Sequence, residues 1–138
     1  MRRDRSSEGW SPWPSWLIAV AGTWLVAIVA LTAWAGETAA GRPSREWTAD
    51  VIAAAATLAV GWILATRHAW TKTRVLAFGG GVAWGGTNAA SVLTNSGPDP
   101  LPWAVVVLAN VAVGLVIVPV VIALGAGARL ALDRVFPG

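Results

Sequence analysis

Chemistry needs side chains that hold protons, metals or nucleophiles. In this 138-residue chain those are sparse: one histidine, no cysteine, seven acids and ten bases. The lack of cysteine removes thiolates, disulfides and cysteine metal sites. His68 has no second ligand near it in sequence, so it reads as a loop residue that meets, at most, a lipid headgroup. The acids and bases fall at the ends of long apolar runs, and none is expected in the middle of one. Proton- and ion-coupled transporters draw on such a group, and an intramembrane hydrolase needs a nucleophile with a base or a metal. Away from their ends, the runs offer only threonine, serine and asparagine for such a role. The expectation is a protein with no catalytic residues, no metal and no cofactor, and not an enzyme.

Asn88 and Asn110 are the deepest strongly polar side chains. Counted at 1.5 Å per residue from the turn between them, Asn88 lies about 9 Å down and Asn110 about 14 Å. They form a candidate intramembrane polar pair. Two uses are open: lining a solute path, or an interhelical hydrogen bond of about 0.6 kcal/mol that sets register. Pro119 is expected to kink its helix by freeing the carbonyl of Leu115.

The elements that must position these residues follow from composition. The chain is 56% hydrophobic and 12% charged, with a mean hydropathy of +0.62, whereas soluble domains are about 25% charged. Four apolar runs predict four membrane helices at about 16–35, 49–66, 75–94 and 101–124, arranged as two hairpins. The fold class is therefore all-α and polytopic. The first run is too long for a signal-peptide core of about 7–15 residues, so a retained helix is expected. Thr48 is the expected cap of the second helix, with Asp50 in its first turn facing the positive end of the helix dipole. Asp99 and Pro100 introduce the fourth. Residues 1–15 form a basic tail, and residues 125–138 a second tail suited to the membrane surface as a short amphipathic turn or two.

Orientation follows from the bases. The N-terminal tail carries three, the turn Arg67, Lys72 and Arg74 three, and the C-terminal tail two, against two in the 36–48 loop and none at 95–100. Both termini and the basic turn are thus expected in the cytoplasm of a bacterial inner-membrane protein. That topology accounts for the net charge of +3 without nucleic acid, and the basic turn suits anionic lipid headgroups.

The third run is rich in glycine. Gly81, Gly85 and Ala89 form a stripe for close helix packing, and Gly79, Ala83, Gly86 and Ala90 form a second row. Either a second copy or a helix of the same chain fills the stripe.

The segments Gly61-Trp62-Ile63-Leu64-Ala65-Thr66-Arg67 with Trp70, Gly81-Val82-Ala83-Trp84-Gly85-Gly86-Thr87 and Pro102-Trp103-Ala104-Val105-Val106-Val107 resemble an uncharacterised family of small bacterial four-helix membrane proteins. The resemblance covers helices 2 to 4. It implies the four-helix architecture and carries no catalytic residue. The expected function is an accessory or scaffold subunit that acts through helix packing, with the bilayer, a homo-oligomer or a membrane protein as partner. The alternative is an oligomeric, holin-like pore or small-solute transporter lined by Asn88 and Asn110.

Overall fold

The structure is a computed structural model that describes residues 13–36, 43–95 and 101–138. The arginines of the N-terminal tail, Glu37 and Arg42 of the first loop, and the 96–100 turn lie outside them. Four helices follow in order: α1 (Ser15–Gly36), α2 (Pro43–Thr66), α3 (Trp70–Asn95) and α4 (Trp103–Val135). The fold is all-α. Three of the helices, α1, α2 and α4, are long and apolar enough to cross a membrane. At 26 residues α3 has the length, but its glycines, threonines and leading Lys72 and Arg74 dilute its apolar character.

Two boundaries differ from the sequence expectation, each for a local reason. Helix α2 starts at Pro43 rather than near Ala49. Proline suits a first helical turn because it has no N–H to leave unpaired and its φ is preset. Glu46, not Asp50, is then the acid in the first turn, and Asp50 stands about two turns inside the helix. Helix α4 runs unbroken through Pro119 to Val135, so residues 125–135 are helix rather than a separate tail. Ala126, Ala128, Leu130, Ala131 and Leu132 favour helix, and the Arg129–Asp133 ion pair at 3.1 Å has the i,i+4 spacing that supports it. At 33 residues α4 is about 50 Å long, beyond the roughly 30 Å of a hydrocarbon core.

The link from α2 to α3 is short. His68 takes a left-handed conformation at φ 52°, His68 N–H donates to the Ala65 carbonyl at 3.1 Å and Ala69 N–H donates to the Leu64 carbonyl at 3.0 Å. This double reverse bond closes the helix, with histidine where glycine or asparagine is usual.

Helix α4 is the packing centre. It lies extensively along α3 and along α2, while α1 bridges α2 and α3 from elsewhere and those two scarcely touch each other. Between lipid-soluble helices burial of leucine gives little driving force, so close backbone approach and its dispersion contacts matter more. Glycine supplies that approach twice. A Cβ on Gly85 would fall 2.6 Å from the Val111 Cα, and one on Gly81 3.0 Å from the Leu115 Cα. A Cβ on Gly114 would in turn strike the Gly81 carbonyl. In the second crossing, a Cβ on Gly61 would strike the Ile122 carbonyl and one on Gly125 the Leu58 carbonyl. Leu17, Ile28, Leu64 and Ile122 fill the space between the helices.

Candidate functional site

The stripe identified in the sequence faces α4 of the same chain. Gly81 and Gly85 sit against the α4 backbone, and Ala89 beside them is 1% exposed. The second row behaves differently. Nothing lies within 4 Å of a Cβ built on Gly79 or on Gly86, so that face of α3 is open.

Asn88 and Asn110 do not bond to each other through their amide groups. Asn88 Nδ2 donates to the Trp84 carbonyl at 2.9 Å, and Asn110 Nδ2 to the Val106 carbonyl at 2.8 Å, each one turn back on its own helix. The reason is the glycine crossing: Asn110 presents its backbone to Gly85, and its half-buried side chain turns along α4. Pro119 lies between the two crossings, where α4 passes from α3 to α2.

The basic turn is tied to the start of α1. The Arg67 guanidinium lies 5.1 Å from the centre of the Trp16 ring, and Lys72 Nζ 5.1 Å from that of Trp13. Arg129 stands 5.2 Å over Trp62 nearby. Arg67, His68 and Lys72, with Pro14 and Trp16, line an open hollow of about 340 Å³. Arg74 lines a neighbouring surface hollow with Trp70.

In the interior, Trp24 joins three helices. Its indole covers Gly80 of α3, and its Nε1–H donates to Thr57 Oγ1 of α2 at 3.1 Å. Thr57 in turn donates to the Ala53 carbonyl at 2.7 Å. Beside this contact opens a cleft of about 340 Å³, because α2 and α3 stand apart on α4. Asp50, Ala53, Ala54 and Thr57 of α2, Trp84 of α3, and Ile117, Val118 and Val121 of α4 line it. Asp50 is exposed at its rim, and Thr57, 4% exposed, lies at its base.

Sequence reasoning missed this cleft because it placed Asp50 in a first turn as a dipole partner. Pro43 was the signal: read as a helix start, it puts Asp50 five residues, about 7.5 Å, inside the span that begins at Arg45. An acid does stand within a span. Among the described residues no three of His, Asp or Glu gather as a metal ion would need. No protein-family model, no curated protein and no solved structure matches this chain.

Proposed function

We propose that this is a multi-pass bacterial inner-membrane protein of four spans, with both termini in the cytoplasm, that works as an accessory or scaffold subunit through helix packing. It performs no catalysis in this reading, and kinship with the uncharacterised four-helix family belongs to the same proposal. The observation that carries it is the open second row on α3. Gly79 and Gly86, seven residues apart on one face, leave room for another helix to approach closely. The helix that bears them is also the least apolar of the four, so a protein surface suits that face better than lipid tails. The inner stripe is already occupied by α4 and leaves nothing for a partner. Arg67, Lys72 and Arg74 meet anionic headgroups at the cytoplasmic surface.

The test is association in nanodiscs of wild type beside Gly79→Leu, Gly86→Leu and the double variant, read by single-molecule photobleaching and by cross-linking in native membranes. A Cβ at either position meets nothing within 4 Å, so loss of a dimer or of a cross-linked partner reports the outer face. Unchanged association in all three variants would sink the reading. The pore alternative ranks second because Asn88 and Asn110 both spend an amide donor on their own helices.

A further inference from the structure

We propose that the cleft between α2, α3 and α4 is a binding site for a small monovalent organic cation with an apolar body, such as an aryl or alkyl quaternary ammonium. Asp50 is the residue that points to it. Its carboxylate sits in the wall of a cleft within a span, and among the described residues it has neither an ion pair nor a hydrogen bond. Ionisable groups within spans are costly, and they are ordinarily paired or functional. Among the described residues it is the only charged group in the cleft lining.

The surroundings reinforce the sign. Glu46 lies one turn earlier on the same face of α2 and adds a second negative charge toward the mouth. The nearest base in sequence, Arg45, is engaged elsewhere, 5.3 Å from the centre of the Trp34 ring. A cation is therefore favoured over an anion or a neutral solute.

The rest of the lining selects the kind of cation. A Ca²⁺ or Mg²⁺ ion needs about six oxygen ligands. Here one carboxylate is joined only by Thr57, whose hydroxyl already accepts from Trp24 and donates to Ala53. The other walls are Ala53, Ala54, Ile117, Val118 and Val121, which suit hydrocarbon, and the Trp84 indole, which suits a quaternary ammonium. A volume of about 340 Å³ lies in the range of small-molecule sites, roughly 300–1,000 Å³. Carboxylate at the rim, indole at one side and aliphatic walls below together describe a soft, singly charged ligand. This inference stands whether or not the outer face of α3 binds a partner.

The experiment is calorimetric titration of the full-length protein in nanodiscs with benzyltrimethylammonium, set beside its neutral isostere neopentylbenzene. Saturable one-to-one binding of the cation is expected, with none for the isostere. Asp50→Asn, which keeps the shape of the side chain, should weaken binding at least tenfold, and Trp84→Leu about threefold. Ala54→Leu fills the cleft while retaining the carboxylate and should abolish binding; Ala54 is exposed, so the fold tolerates it. Circular dichroism and elution volume verify each variant. Absence of saturable binding to wild type overturns the proposal, as does equal affinity in Asp50→Asn. Should Asp50→Asn fail to fold, retained binding by Ala54→Leu overturns it instead.

Discussion

Gly85 and Gly86 are adjacent, chemically identical and predicted to respond oppositely to the same substitution. An alanine Cβ at Gly85 lands 2.5 Å from the Asn110 carbonyl oxygen and 2.6 Å from the Val111 Cα. Both are backbone atoms of a packed helix, so no side chain can rotate away. Reaching an ordinary 3.4 Å contact with Val111 requires α3 and α4 to part by about 0.8 Å. Separation of that order forfeits a quarter to a half of the dispersion well for the atoms lining the crossing. Overpacking of a close contact costs typically 1–3 kcal/mol, and the upper half of that range is expected because Gly81 and Gly114 share the crossing. Gly86→Ala meets nothing within 4 Å and should change stability by less than about 0.5 kcal/mol. The assay is unfolding by added SDS in mixed micelles, followed by far-ultraviolet circular dichroism. A Gly85→Ala variant as stable as Gly86→Ala would refute the α3–α4 crossing.

Four further outcomes follow from the same contacts. Gly61→Ala, which drives a methyl into the Ile122 carbonyl, should destabilise by a similar 1–3 kcal/mol in the same titration, whereas Gly22→Ala on an open face of α1 should not. Thr57→Val keeps the volume but strands the Trp24 indole N–H in the core, and should cost about 1–2 kcal/mol with a shift in tryptophan emission. A double-mutant cycle between Asn88→Ala and Asn110→Ala should give a coupling below about 0.3 kcal/mol, since each amide bonds its own helix; coupling near 1 kcal/mol would restore the interhelical pair. His68→Gly relieves a left-handed residue and should raise stability by up to about 1 kcal/mol, with no gain if the link is rebuilt on other bonds.

The helical architecture was legible because lipid demands long apolar runs with internally satisfied backbones, and such runs are visible in composition. The stripe on α3 was legible as a packing surface but not as to its partner. Gly81 and Gly85 announce close approach, while Gly114, which receives them, is a lone glycine in a valine-rich run. The Gly61 and Gly125 crossing was invisible for a related reason: Gly61 is the only glycine of α2, and Gly125 has no glycine three or four residues away on α4, so neither shows a period to read. The cation–π clamps of Arg67 on Trp16 and Lys72 on Trp13 join residues more than fifty positions apart. Matching depth alone could not pair the asparagines, because side-chain direction depends on the crossing, and the crossing put the Asn110 backbone, not its amide, against α3. Asp50 turned on a single boundary. Thr48 looked like a cap, yet Pro43 and Glu46 began the helix earlier and moved the acid from the helix end into the wall of the cleft.

The place of α4 at both glycine crossings bears on how the chain is built. Translation delivers α1, α2 and α3 first, and α2 and α3 have scarcely any surface in common. Until α4 emerges, the faces bearing Gly61, Gly81 and Gly85 lack the backbone they are shaped to receive. Until then α1, α2 and α3 form a loose set held mainly by α1 and its Trp24 anchor, and the last helix locks them together from the side. A chain that ends before Trp103 would lack this closing helix and leave those glycine faces exposed to local opening and proteolysis. Closure of both glycine crossings therefore requires the 33 residues of α4, the last helix to be made.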